Sequence, residues 1–189
     1  MSKFCAILKR IDGYLGLAVF IALAIYALGM SRAYVNTRFY EDTISFYQQI
    51  QPINDMVIFF AIFGIAWSAL YKVLRNDIRK IYYTSNFIWH GVYLIYSFAA
   101  GIACLLGIAS YQARYYSLDF AAINHYFSDV VQMPYRLNPQ TPVFLIGYSL
   151  CALVLLSGVL VGICGFYHLF ARIRYEKGRK ASGARARSF

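Results

Sequence analysis

The sequence predicts an all-α integral membrane protein, a bundle of four transmembrane helices with one amphipathic helix outside the membrane. Composition is the first reason: 60% of the 189 residues are hydrophobic and the mean hydropathy is +0.52, which is typical of a multi-pass membrane protein. The second is that four apolar runs are each long enough to cross a hydrocarbon core of about 30 Å. Finally, the net charge of +10 collects at the ends of these runs, so we expect no nucleic-acid partner.

The predicted spans belong to a single transmembrane domain, residues 1–174, and cover about 13–30, 56–74, 86–111 and 143–170. Lys72 is the only Asp, Glu, Lys or Arg within them, and its long side chain can reach the membrane surface. Residues 31–54 and 112–142 form two long connections. Residues 175–189 form a basic tail without apolar periodicity, which predicts disorder unless a partner holds it.

The fourth span is the element around which we expect the bundle to be arranged. Pro142 precedes it, in a position where a missing backbone N–H does least harm. A stripe of small residues runs along one side of the helix, at spacings of four, seven, four and three: Gly147, Cys151, Gly158, Gly162 and Gly165. Gly158-x-x-x-Gly162 is a spacing that lets membrane helices approach closely. The pattern therefore predicts a neighbouring helix packed against this stripe.

The third span carries small residues on two sides. One side holds Ser97, Gly101 and Cys104, and the other holds Ala99, Ala103 and Gly107. Small side chains at a helix interface allow close approach of the backbones. We therefore expect close neighbours on both flanks of this helix, more than a helix at the edge of an isolated bundle needs.

The distribution of charge predicts the orientation in the membrane. Three segments are basic: residues 1–12, 72–85 and 171–189 contain three, four and seven basic residues, and each contains one acidic residue. Both long connections are neutral. Basic residues remain on the cytoplasmic side. We therefore predict that both termini are cytoplasmic and that anionic lipids contact this basic face. A bacterial cytoplasmic (inner) membrane is the expected location, with the mitochondrial inner membrane as the alternative.

The second long connection contains a helical pattern of its own. Tyr116, Phe120, Ile123, Phe127 and Val130 follow one another at spacings of four, three, four and three. This periodicity predicts an amphipathic helix that lies along the outer membrane face or over the bundle. The first connection shows a weaker pattern in Tyr40, Ile44 and Tyr47, which could form a shorter helix of the same kind.

Two histidines suggest the one specific cofactor hypothesis. His90 lies early in the third span and His168 late in the fourth, so both should sit near the cytoplasmic side, where two imidazoles could ligate one b-type haem. The alternative is that both are interfacial residues, because Trp89 and Tyr167 beside them fit an aromatic belt. We adopt this second interpretation and therefore expect no cofactor. The four cysteines lack metal-clip spacing, so no metal is expected either.

The sequence predicts little chemistry in the rest of the chain. No ionisable residue lies at mid-depth in the predicted spans and no catalytic motif is recognisable. The leading hypothesis is a non-catalytic accessory subunit of a larger membrane complex, for example a secretion, conjugation or energy-converting complex. Eighteen tyrosines and fifteen phenylalanines favour protein partners. The alternatives are a small haem-bearing electron-transfer subunit and a transporter component.

Overall fold

The computed structural model describes residues 14–35, 41–81, 83–129 and 142–186. These residues form five helices, which we number in chain order: α1 (Tyr14–Val35), α2 (Glu41–Ile81), α3 (Tyr83–Tyr116), α4 (Phe120–Asp129) and α5 (Val143–Ala186). No β-strand occurs in the described ranges. The all-α prediction is therefore confirmed.

Three of the helices are long and apolar enough to cross a membrane. The candidate spans are Gln48–Leu70 in α2, Ile88–Tyr116 in α3 and Val143–Tyr167 in α5. In α1 the apolar stretch, Tyr14–Met30, is shorter. The prediction of a multi-pass membrane protein is confirmed by these three helices, while the count of four spans stays a prediction.

Helix α2 begins earlier than the sequence pattern indicated. Residues 41–54, expected to belong to a connection, are helical and continuous with the second span, and the helix runs through Pro52. A proline inside a helix removes one backbone hydrogen bond. Burial of Ile50 and Val57, which are 4% and 3% exposed, opposes that loss. Packing on the bundle therefore extends the helix past the proline.

The chain after the fourth span is helical up to Ala186, where disorder was expected. Extending an existing helix needs no new nucleation, and Arg, Lys, Glu and Ala are good helix formers. Helix α3 also extends further than predicted, so that Tyr116 ends α3 and is not part of the outer helix. Residues 1–13 and 130–141, which include Val130 of the predicted outer helix, lie outside the described ranges.

The four long helices pack around a ring. Helix α1 contacts α2, α2 contacts α3, α3 contacts α5, and α5 returns to α1, with the α3–α5 interface the most extensive. Each of the four contributes side chains to the buried centre: Phe20, Leu23, Ala61, Tyr93, Ala100 and Val154 are all fully buried. The short helix α4 follows a tight turn at the end of α3. Contacts that run from His90 and Gly165 to Ile108 and Gly147 make α3 and α5 neighbours along most of their apolar lengths.

Candidate functional site: the α3–α5 interface and its outer groove

The small-residue stripe of α5 lies against α3. A β-carbon built on Gly158 would lie 2.6 Å from the β-carbon of Ser97, and one built on Gly165 would lie 2.7 Å from that of His90. On Gly162 it would lie 3.2 Å from a methyl carbon of Leu94. Real β-carbons do not approach other atoms as closely as 2.6–2.7 Å. Glycine at these positions therefore allows α3 and α5 to touch at backbone distance.

The other two members of the stripe lie nearer the start of α5. A β-carbon on Gly147 would lie 2.5 Å from the hydroxyl oxygen of Tyr26 in α1 and 3.1 Å from a methyl carbon of Ile108 in α3. Cys151 is fully buried and its thiol is free. The stripe as a whole therefore contacts two neighbouring helices of the same chain.

The small residues of α3 divide between its neighbours. Gly101 lies against Leu155 of α5, where a β-carbon would be 2.7 Å from a methyl carbon, and Cys104 is fully buried. Gly107 instead faces α2, with a methyl carbon of Met56 2.8 Å from the built β-carbon. Ala99 is exposed and Ala103 is half-buried. Both packed flanks of α3 thus meet helices of this chain, and the Ala99 side faces outward.

Polar side chains inside the bundle take part in helix packing. The Ser68 and Tyr93 hydroxyls form a hydrogen bond of 3.3 Å between α2 and α3. Tyr96 donates to the carbonyl oxygen of Phe60 across the same interface, at 2.6 Å. Such bonds between membrane helices contribute cohesion, because lipid tails offer no alternative partner.

Four serines of the spans behave in three different ways. Ser149 and Ser157 donate to carbonyl oxygens of their own helix, at 2.8 Å and 2.7 Å, which is the usual behaviour of a serine inside a helix. Ser68 instead pairs with Tyr93. The hydroxyl of Ser97 is buried without a hydrogen-bond partner. It lies beside Gly158, where α3 and α5 pack closely.

His90 is only 2% exposed and packs against Gly165. His168 belongs to the backbone of α5, one turn after Gly165, and its side chain is outside the part of the molecule that the structure describes. A haem held by both imidazoles would have to fit between the helices that supply them. Contact between α3 and α5 at Gly165 leaves no gap for a macrocycle at that level. Among the residues described, His, Cys, Asp and Glu form no group of three that could hold a metal ion.

The α3–α5 interface carries an apolar groove on the surface that points away from the bundle centre. We call it the outer groove, where outer means away from the bundle centre and not a side of the membrane. It is open, offers about 520 Å³ of free space and is lined by Leu94, Ile95, Phe98, Val159, Gly162, Ile163 and Phe166. Ile95, Ile163 and Phe166 are more than half exposed. Gly162 is buried and adds no side chain to the lining. The groove therefore accepts an apolar occupant, and the sequence pattern alone had not indicated it.

Aromatic rings hold α4 at the end of the bundle. The ring of Phe120 lies 5.1 Å from that of Tyr115, which in turn lies 5.5 Å from Phe144 of α5. Ile123 is 1% exposed, while the side chains of His125 and Asp129, 2.6 Å apart, are exposed on the opposite face of α4. Asp119 accepts hydrogen bonds from two backbone N–H groups and so caps the first turn of α4.

Comparisons of the chain with models of known protein families, with curated proteins and with solved structures found no match. The function must therefore be argued from the geometry of the bundle and of its surface.

Proposed function

We propose that this chain is a non-catalytic accessory subunit of a larger membrane complex. The outer groove is the observation that carries the proposal. Its lining is entirely apolar, and it is a concave surface on the most extensively packed helix pair of the bundle. Ser68, Tyr93 and Tyr96 form hydrogen bonds between helices inside the bundle, so the surface is where a specific interaction with a partner is best supported.

The shape of the groove supports a partner helix. Lipid tails are as apolar as the side chains of a transmembrane helix, so membrane helices associate through van der Waals contact and close fit rather than through the hydrophobic effect. A concave surface gives a partner more such contact than a convex one. Phe98 and Phe166 line the groove, and a side chain from a partner helix in the groove would contact them.

The proposal includes the placement of the chain in the membrane. We take α1 as the first of four spans, because its apolar stretch Tyr14–Met30 packs between α2 and α5 and is about 26 Å long at 1.5 Å per residue. Both termini are then cytoplasmic, anionic lipids contact the basic face, and α4 is the amphipathic helix on the outer side. A bacterial cytoplasmic membrane is the proposed location, with the mitochondrial inner membrane as the alternative.

The test is purification in mild detergent, followed by native gel electrophoresis and mass spectrometry of the proteins that co-migrate. We expect partners in fixed stoichiometry. Ile163→Trp, which would fill the outer groove, should release a partner, whereas Ile25→Trp on the exposed side of α1 should not. A parent chain that migrates as a stable lone monomer would refute the subunit proposal. A complex that survives Ile163→Trp would refute the role of the groove.

A further inference from the structure

Helix α5 is too long for the membrane that it crosses. It has 44 residues in one uninterrupted helix, which is about 66 Å at 1.5 Å per residue. A bilayer measures about 40–45 Å with its headgroups included. The candidate membrane span ends at Tyr167, and residues 168–186 continue the helix for about 28 Å. We call these residues the α5 extension.

The α5 extension is strongly basic. Its basic residues outnumber the single acidic residue, Glu176, by six to one: Arg172, Arg174, Lys177, Arg179, Lys180 and Arg185. The side chains of Arg174 and Lys177 are exposed, and a β-carbon on Gly178 would meet nothing within 4 Å. At these positions the rest of the bundle does not cover the extension.

The direction of the helix carries the far end of this charge away from the lipid headgroups. A helix that leaves the membrane without a break keeps its axis, so its far end cannot lie flat on the surface. Residues 179–185 are about 18–27 Å along the axis from Tyr167. At physiological ionic strength, attraction to a charged surface decays over about 8 Å. The headgroup layer reaches about 5–8 Å beyond the hydrocarbon on each side, so headgroups attract the first turns of the extension, and their attraction weakens toward Arg185 at its far end.

We infer that the α5 extension is a docking arm for an acidic surface on a partner protein. The inference rests on the proposed function, because the outer groove and the extension are continuous along the same helix. Phe166 is the last α5 residue that lines the groove, and the extension begins two residues later. A partner helix seated in the groove leaves the membrane beside the extension, where an acidic stretch of that partner would meet the basic residues.

The chain offers a matched pair of variants for the test. Arg179–Lys180 in the extension and Arg79–Lys80 near the end of α2 are the same dipeptide on different helices. In the intact complex, Arg179→Glu with Lys180→Glu should weaken association roughly tenfold and lower the salt concentration at which the complex separates. Arg79→Glu with Lys80→Glu should leave both values unchanged. Thermal melting of each variant checks that folding is preserved.

Each result has a defined meaning. If the parent forms no complex, the proposed function fails. If the parent forms one that is indifferent to the Arg179/Lys180 reversal, the docking arm alone is refuted. An effect that appears only in nanodiscs containing anionic lipid, and is absent in detergent or neutral nanodiscs, would assign the extension to headgroups and overturn the inference. Loss of the complex on nuclease treatment would overturn it in favour of a nucleic acid.

Discussion

Gly158 of α5 lies so close to Ser97 of α3 that a β-carbon on the glycine would come within 2.6 Å of the serine β-carbon. The β-carbon of Ser97 belongs to the stem of the side chain and moves only with the backbone. Adding any side chain at Gly158 must therefore push the two helices apart. Because α3 and α5 form the largest interface of the ring, this contact bears on the stability of the whole bundle.

Enlarging the glycine stripe should destabilise the protein. We expect Gly158→Ala to lower the free energy of unfolding by about 1–3 kcal/mol, as overpacking does in other closely packed cores. Gly162→Ala should have a smaller effect, because the nearest atoms are the flexible methyl ends of Leu94, 3.2 Å and 3.3 Å away. Gly158→Leu and Gly162→Leu should both be severe. Unfolding in mild detergent, followed by circular dichroism, measures the effect.

Gly29 provides the matched control for these substitutions. A β-carbon there would meet nothing within 4 Å, so Gly29→Ala should be neutral, or stabilising by up to about 1 kcal/mol through helix propensity. If Gly158→Leu and Gly162→Leu have the same free energy of unfolding as the parent, the stripe does not hold α5 against α3.

The Ser68–Tyr93 hydrogen bond should show measurable coupling. We expect a double-mutant cycle of Ser68→Ala and Tyr93→Phe to give an interaction energy of about 0.5–1.5 kcal/mol, within the range found for hydrogen bonds between membrane helices. Ser149 bonds to a carbonyl of its own helix, so the cycle of Ser149→Ala with Tyr93→Phe should give none. Equal values in the two cycles would mean that Ser68 and Tyr93 do not interact.

Tyr96 should contribute to the α2–α3 contact through its hydroxyl. Tyr96→Phe removes the donor to the Phe60 carbonyl but retains the ring contacts with Phe20 and Phe63. We expect a loss of about 0.5–1.5 kcal/mol in the free energy of unfolding. Tyr116→Phe, at an exposed tyrosine, is the control and should change little. A loss as large at Tyr116 would show that the effect is not specific to this hydrogen bond.

Helix positions and small-residue faces could be predicted from the sequence because they depend on local periodicity. The residues that meet across an interface could not. The pairing of Ser68 with Tyr93, or of Gly147 with Tyr26, depends on the rotation and depth of two helices relative to each other, which apolar runs do not encode. The partner of Ser68 is 25 residues away in the chain.

The helix ends were mispredicted for a related reason. Pro52 and the polar residues around it look like a connection, yet packing of Ile50 and Val57 on the bundle keeps the segment helical. The outer groove could not be predicted from the sequence either. It exists because Val159 and Ile163 of α5 happen to flank the same hollow as Ile95 and Phe98 of α3, which is a property of how the two helices cross.

The purified chain should show no Soret absorption. His90 is buried against Gly165, and contact between α3 and α5 at that level leaves no slot for a macrocycle between them. The visible spectrum should be recorded on protein from cells supplied with a haem precursor, so that haem supply does not limit binding. A Soret band that is lost on His90→Ala or His168→Ala would contradict this expectation and favour the electron-transfer subunit.

Helix α5 should cross the membrane with its C-terminal end on the cytoplasmic side. Ser117 is exposed beyond the end of α3, and only the α5 span separates it in the chain from Ser182. In intact cells, Ser117→Cys should react with a membrane-impermeant maleimide, whereas Ser182→Cys should react only after permeabilisation. The parent chain reports background from its own cysteines, of which Cys104 and Cys151 are buried. If only Ser182→Cys reacts in intact cells, the orientation is the reverse of the one proposed. If both variants react, α5 does not cross the membrane.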